Sequence, residues 1–278
     1  MADHVAGKSI IITGASGGFG RLVAHKAAAR GAALTLGDID IAGAEAVAAE
    51  IRGQGGQAQA VQTDVTQLAQ VKALVAAAMD KHGKIDVMIN NAGIMPLAFF
   101  ADHDAAYSAW ERCIDINIKG VLNGMVAAYD PMIAAGRGQV INISSIYGNF
   151  PVAGAAVYGA SKAAVNVLSE SLRLESRGKI KVTTVKPTGV PATRLGGTVI
   201  NPAAVVGILG ANMPEFLDMS SKMQDGSFPA ERLDPENIDY ASLAPEHIAD
   251  AVLHAIDQPW GVSVGDITIR AAGDHFIL

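Results

Sequence analysis

The fold is decided by Lys8-Ser9-Ile10-Ile11-Ile12-Thr13-Gly14-Ala15-Ser16-Gly17-Gly18-Phe19-Gly20. The three isoleucines are apolar and β-branched, which is typical of a buried parallel strand. Glycines follow at 14, 18 and 20, and an alanine-rich apolar segment predicts a helix over 19–30. Glycines at such a turn let the backbone approach a pyrophosphate, which then lies at the positive helix N-terminus. The stretch predicts dinucleotide contacts at Gly14, Ser16, Gly18, Phe19 and Gly20; a tight turn without a ligand is the alternative.

An acidic residue ends the next apolar run, 32–37. Asp38 follows the glycines by about 20 positions, a spacing at which a carboxylate accepts hydrogen bonds from the adenosine ribose. The same carboxylate would repel a 2′-phosphate, and no basic residue lies between Thr13 and Gly20 or at 37–40. The pattern therefore favours NAD over NADP. Asp40 is a competing candidate, and a merely polar strand end is the plain alternative.

Length and composition limit the possible classes of protein. The 278 residues suffice for one large α/β domain, and 50% of them are hydrophobic, enough for a substantial core. The net charge of −6 argues against general binding to nucleic acid or an anionic membrane. The single cysteine, Cys113, excludes an intramolecular disulfide, and the seven histidines are scattered, so no metal site is expected. No signal pattern or membrane span is recognisable, and we expect a cytoplasmic protein.

Strand-like and helix-like segments alternate along the chain. Strands are predicted over 8–13, 32–37, 57–63, 85–90, 138–144, 180–186 and 262–269. Helices are predicted over 19–30, 41–53, 67–82, 104–135, 155–177 and 245–257. Alternation of this kind indicates an α/β fold, a doubly wound parallel sheet (Rossmann fold) of about seven strands with helices on both faces. We expect one domain over 1–278.

Residues 188–244 interrupt the alternation and carry five prolines with apolar segments between them. A long insertion after a strand of a compact domain is usually functional, and open α/β sheets bind ligands at the carboxyl ends of their strands. This segment is therefore interpreted as a substrate lid, with a surface excursion as the alternative.

A tyrosine and a lysine four residues apart, Tyr158 and Lys162, lie in the predicted helix 155–177. On a helix both side chains project from one face. A free phenol has a pKa of about 10, and a nearby ammonium lowers it. Such a pair can act as an acid/base on an alcohol or carbonyl oxygen. A half-buried tyrosine beside a solvated lysine is the alternative.

Four further polar segments follow one another along the chain: Asp64-Val65, Asn90-Asn91-Ala92-Gly93, Asn117 and Ser144-Ser145. Ser145 precedes Tyr158 by thirteen residues. Together with the glycine stretch and Tyr158-x-x-x-Lys162, this order resembles the short-chain dehydrogenase/reductase family in its short single-domain branch. The resemblance extends from Lys8 to about Arg270.

The resemblance implies a role for each matching residue. Tyr158 would be the acid/base, Lys162 would lower its pKa and bind the nicotinamide ribose, and Ser145 would bind the reacting oxygen. Asn117 would hold a water that links Lys162 to solvent. The remaining positions would line the cofactor cleft: Asp64, Val65, Asn91, Ala92, Gly93, Pro187, Gly189, Val190 and Thr193. Ser144 competes with Ser145, and Thr188 stands where the family usually has glycine after Pro187, so the alignment of 187–193 stays open.

The resemblance also implies a small alcohol or ketone as the substrate and pairing of long helices between subunits, in a homodimer or homotetramer. Candidate pocket residues are Met95, Pro96, Ser145, Tyr147, Phe150, Tyr158 and Val190, mostly apolar. With no arginine pair to bind a carboxylate or phosphate, they favour an uncharged aromatic, alicyclic or steroid-like compound. Two other functions stay possible: a non-catalytic dinucleotide sensor and a sugar-nucleotide epimerase or dehydratase.

Overall fold

The computed structural model describes residues 3–190 and 194–277. In this part of the chain, seven strands form the sheet: β1 (Ser9–Thr13), β2 (Ala33–Asp38), β3 (Gln57–Gln62), β4 (Val87–Asn90), β5 (Gly138–Ile143), β6 (Ile180–Pro187) and β7 (Asp266–Ile269). Every pairing is parallel, in the order β3-β2-β1-β4-β5-β6-β7. The predicted α/β class and strand number are confirmed. The order reverses between β1 and β4, which is where open α/β sheets bind ligands.

Helices connect the strands and cover both faces of the sheet. They are α1 (Gly18–Ala29), α2 (Ile41–Gly53), α3 (Leu68–His82), α4 (His103–Cys113), α5 (Gly120–Ala134), α6 (Ala156–Glu175), α7 (Val206–Leu209), α8 (Met213–Asp225) and α9 (Pro245–Ile256). Among the described residues, no helix combines the length and the apolar character that a membrane crossing requires.

The core forms two layers because side chains alternate across a strand. In β1, Ile10 and Ile12 belong to one buried cluster, which includes residues of α1, α2 and α9. Ile11 belongs to the other cluster, with residues of α3 and α5. The isoleucine run therefore anchors both layers, as a strand covered on both faces requires.

The predicted helix 104–135 contains an irregularity that periodicity does not reveal. A π-helix, Ile114–Lys119, joins α4 to α5 and carries Asn117, which is fully buried. A π-turn widens the helix and is frequent at functional sites. It changes the direction of this side chain relative to a regular helix.

Residues 194–244 lie between β6 and α9 and hold the short helix α7, the longer α8 and several 3₁₀ turns. Val206–Leu209 forms a single helical turn, and Met213–Asp225 forms a helix of 13 residues. Because the segment follows the carboxyl end of β6, it lies at the ligand-binding edge of the sheet.

Candidate active site

The glycine turn after β1 has the geometry that its sequence predicts. Gly14 has a φ of +66°, and a Cβ there would lie 2.9 Å from the Cα of Ala92. Gly20 packs against the carbonyl of Gly14 and leaves no room for a Cβ. Gly18, the first residue of α1, has a φ of +52° and faces open space, with nothing within 4 Å of the Cβ position. Two glycines thus permit close packing, and Gly18 leaves room at a helix N-terminus.

Asn91 fixes this turn to the end of β4. Its side-chain Nδ2 donates to the carbonyls of Thr13 and Gly14, at 2.9 and 3.0 Å. The hydroxyl of Thr13 in turn accepts from the main-chain N–H of Asn91, at 3.1 Å. The ends of β1 and β4 are therefore tied together beside the glycine turn.

Asp38 lies at the end of β2, buried beside the same turn. One carboxylate oxygen accepts from the main-chain N–H of Ser16 at 2.8 Å, and the other from that of Asp40 at 2.9 Å. Asp40 instead caps α2, since its carboxylate accepts from the N–H of Gly43 at 3.0 Å. Of the two candidates, Asp38 lines the cleft and Asp40 does not.

Tyr158 lies on α6 with only 3% of its surface exposed. Burial raises the pKa of Tyr158, and a hydrogen bond with Ser145 opposes that shift. The ring of Tyr147 meets the ring of Tyr158 edge to face, with centroids 5.3 Å apart. The Tyr158 phenol is therefore protonated near neutral pH in this structure and lies beside the predicted serine.

Lys162 is buried one turn further along α6. Its ammonium donates to the carbonyl of Ile143 at 2.9 Å and lies 5.8 Å from the centre of the Tyr158 ring. Burial lowers the pKa of Lys162 to about 8. Burial outweighs any lowering of the Tyr158 pKa by Lys162, whose ammonium is hydrogen-bonded to the Ile143 carbonyl.

The structure separates the two neighbouring serines. The hydroxyl of Ser144 donates to the carbonyl of Lys162 at 3.1 Å and to Oδ1 of Asn166 at 2.7 Å, both on α6. The hydroxyl of Ser145 accepts from the N–H of Tyr147 at 3.3 Å and contacts Tyr158. Ser144 therefore anchors α6 to β5, and Ser145 is the serine beside the phenol.

The Asn117 side chain holds protein groups together. Its Oδ1 accepts from the N–H of Ile94 at 3.0 Å, while Nδ2 donates to the Ile94 carbonyl at 2.9 Å and to Ser161 at 3.0 Å. It does not line the cleft. This amide fixes the segment after β4, and the part of Asn117 in a water relay to Lys162 stays a prediction.

One cleft of about 640 Å³ brings most of the predicted residues together. The predicted site residues that line it are Gly14, Ser16, Gly18, Phe19, Asp38, Asp64, Val65, Asn91, Ala92, Gly93, Met95, Ser145, Tyr147, Tyr158, Lys162, Pro187, Gly189 and Val190. Gly20 and Asn117 support its wall from behind. Thr193 lies outside the described residues.

The prediction that Phe150 lines the substrate pocket is wrong. It is 65% exposed and does not line the cleft. A 3₁₀ turn, Ile146–Gly148, follows Ser145 and directs Tyr147 inward, after which the chain leaves the cleft. Pro96 is also absent from the lining; its carbonyl accepts from the indole of Trp110 at 3.2 Å.

Several cleft residues were missed by the sequence reasoning. The C-terminal segment contributes His275 and Phe276, and the ring of Phe276 packs directly on Gly189. Thr188 is buried, and its hydroxyl has no hydrogen-bond partner among the described residues. Only the replacement of the usual glycine by Thr188 was a signal in the sequence; nothing local marks the C-terminal segment.

Comparisons with known proteins identify the class. The sequence model of the short chain dehydrogenase family matches residues 8–202, so the chain belongs to that family and is an oxidoreductase. An uncharacterized oxidoreductase of Listeria monocytogenes is 35% identical over 271 residues, covering 95% of this chain and 96% of the relative. The 2,5-dichloro-2,5-cyclohexadiene-1,4-diol dehydrogenase LinX of Sphingobium indicum is 37% identical over 192 residues, covering 68% of this chain and 76% of that protein.

Two solved structures have similar folds. A 7α-hydroxysteroid dehydrogenase complexed with NADH and 7-oxo glycochenodeoxycholic acid has a TM-score of 0.78 at 26% identity, covering 98% of this chain and 96% of that one. A metagenomic short-chain oxidoreductase in complex with NADP has a TM-score of 0.72 at 27% identity, covering 96% and 98%. The predicted family is confirmed; the neighbours bind NADH in one case and NADP in the other.

Proposed function

We propose that this protein is an NAD-dependent oxidoreductase that interconverts a secondary alcohol and a ketone. The observation that carries the proposal is the buried Tyr158 phenol, beside Ser145 and Lys162, in the same cleft as the glycine turn. Hydride transfer to a carbonyl requires a proton donor and a bound dinucleotide in the same cleft.

The residues present fit a nicotinamide dinucleotide. Gly18 leaves open space at the N-terminus of α1, where a pyrophosphate is stabilised. Asp38 would accept from the adenosine ribose, Asp64 and Val65 would flank the adenine, and the unpartnered hydroxyl of Thr188 offers a hydrogen bond beside Pro187 and Gly189. When bound, the cofactor supplies the hydride acceptor or donor and, when oxidised, a positive charge on its ring.

The protein's own groups handle the proton. In reduction, the Tyr158 hydroxyl donates its proton to the carbonyl oxygen, and Ser145 holds that oxygen with a second hydrogen bond. In oxidation, the phenolate accepts the alcohol proton. Lys162 stabilises the phenolate because its ammonium lies against the same ring. Asn117 fixes the loop after β4, and we propose that it also holds the water that links Lys162 to solvent.

The preference for NAD rests on Asp38. Each oxygen of a carboxylate can accept more than one hydrogen bond, so the bonds from Ser16 and Asp40 leave capacity for ribose hydroxyls. A 2′-phosphate placed there would meet a negative charge.

The substrate is proposed to be an uncharged aromatic, alicyclic or steroid-like alcohol or ketone. Apolar side chains of the segment 188–244 line the cleft, and we propose that this segment is the substrate lid. They are Leu195, Val205, Ile208, Leu209, Phe216, Met219 and Met223. The ring-bearing compounds in the names of the two dehydrogenases described above support this class.

We also propose a homodimer or homotetramer in the cytoplasm. The outer faces of α5 and α6 expose apolar side chains that the chain itself leaves uncovered: Leu122, Val126, Tyr129, Val167 and Leu174. Clusters of exposed apolar side chains are typical of protein contacts.

A single assay tests the proposal: NADH formation from a panel of secondary alcohols, and NADH consumption with the matching ketones. Turnover of at least one cyclic pair is expected. Tight NAD binding without turnover on any compound would support the sensor alternative. Release of an epimerised sugar nucleotide would support the other alternative, although 194–244 forms short helices rather than a second sheet domain.

A further inference from the structure

The cleft is closed on the lid side by a histidine that the proposed reaction does not use. His275 lines the main cleft and, with Met219, also lines a smaller cavity beside α8. A residue that borders both cavities is part of the wall between them. Tyr158 and Ser145 lie instead on the side formed by α6 and the end of β5. His275 therefore belongs to the part of the cleft wall that α8 and the C-terminal segment form.

The position of His275 is fixed from several directions. Its carbonyl accepts from Nδ2 of Asn212 at 2.9 Å, and the next residues are tied to the lid by the bond from the N–H of Ile277 to the carbonyl of Ile208, at 3.0 Å. The ring packs edge to face on Phe216, with centroids 6.3 Å apart. The imidazole is held in place by the lid and the C-terminal segment.

The imidazole of His275 makes fewer hydrogen bonds than its two nitrogens allow. Its side chain is only 8% exposed, and Nδ1 has no partner among the described residues. Nε2 lies 3.9 Å from the nearest carboxylate oxygen of Glu215, beyond hydrogen-bond length. A buried polar atom without a partner is destabilising, and such groups normally have a hydrogen-bond partner. Several apolar side chains of α8 and the C-terminal segment line the same cleft: Phe216, Met219, Met223 and Phe276.

On the basis of the proposed function, we propose that His275 binds an oxygen-bearing group at the end of the substrate remote from the reacting carbon. A neutral imidazole has one donor and one acceptor nitrogen, so a hydroxyl or a carbonyl group can satisfy it. The rest of the substrate lies against the apolar lid. The site thus selects cyclic ketones and alcohols that carry a second, distal oxygen over those that lack it.

The test compares matched ketones that differ only in the distal group. One pair is 2-decalone and 6-hydroxy-2-decalone; the longer pair is 5α-androstan-3-one and its 17β-hydroxy derivative. In the wild-type protein the hydroxylated member of at least one pair is expected to have a kcat/KM about tenfold higher or more, as one hydrogen bond provides. His275→Phe keeps a ring and removes both nitrogens, and it should bring the ratio to about 1.

Lys222→Met is the matched control because Lys222 borders only the smaller cavity. It should keep the wild-type ratio. An equal ratio in the wild-type protein and His275→Phe, or an equal loss in Lys222→Met, would overturn the proposal.

Calorimetric binding of the four ketones, with and without NADH, separates this proposal from the proposed function. Absence of turnover on every compound contradicts the proposed reaction alone. A binding preference for the hydroxylated ketone that His275→Phe removes still supports the anchor, whereas no preference, or no binding, overturns it. Thermal unfolding confirms that each variant is folded.

Discussion

Two alanine substitutions at glycines with the same conformational demand separate cofactor binding from backbone strain. Gly18 and Gly55 have φ values of +52° and +84°, and at both positions a Cβ would meet no protein atom within 4 Å. Alanine in this region of backbone space costs roughly 1–2 kcal/mol. Both Gly18→Ala and Gly55→Ala should therefore lower the melting temperature by similar amounts, about 2–4 °C per kcal/mol for a domain near this size.

The two variants should differ in cofactor binding. The open space at Gly18 lies in the cleft at the start of α1, whereas Gly55 lies in the turn between α2 and β3. A methyl group that intrudes on a packed contact costs about 1–3 kcal/mol, which is roughly a 5- to 150-fold increase in Kd. Titration calorimetry with NAD should show this increase for Gly18→Ala only. Equal NAD affinities in the two variants would refute the assignment of the glycine turn to the pyrophosphate.

Two more predictions concern charged groups. Asp38→Asn should lower the ratio of kcat/KM with NAD to kcat/KM with NADP at least tenfold, because it removes the charge that repels a 2′-phosphate. A wild-type protein that uses both cofactors equally would contradict the cofactor assignment. Burial lowers the pKa of Lys162 from 10.5 to about 8, so between these pH values the folded protein has lost a proton that the unfolded chain retains. The free energy of unfolding of the wild-type protein, relative to that of Lys162→Met, should therefore rise across that range by up to about 3 kcal/mol. Urea unfolding at several pH values measures it. A difference that does not change with pH would argue against a buried, destabilised ammonium.

Local patterns predicted the parts of the fold that depend on local chemistry. The β-branched Ile10–Ile12 run, the glycine turn and the four-residue spacing of Tyr158 and Lys162 each report on neighbouring residues, and the structure places them as expected in the sheet, the turn and α6. The order of these segments was enough to predict the family.

The features that were missed depend on contacts between distant parts of the chain. The amide of Asn117 is used by Ile94 because a π-turn redirects it, and periodicity does not encode a π-turn. The pKa of Tyr158 is set by burial, which a motif cannot report. His275 reaches the cleft because the C-terminal segment packs on residues 206–209 and on Gly189.

The central claim is that Tyr158 transfers the substrate proton. The direct measurement compares wild-type protein with Tyr158→Phe on the best cyclic ketone of the panel, with NADH and NADPH side by side and NADH affinity determined separately. We expect NADH to bind both proteins with nearly equal affinity and kcat/KM to fall by roughly 10²–10⁴ or more in the variant. Activity retained in Tyr158→Phe, or a wild-type protein that binds NADH and reduces no ketone, would contradict the claim.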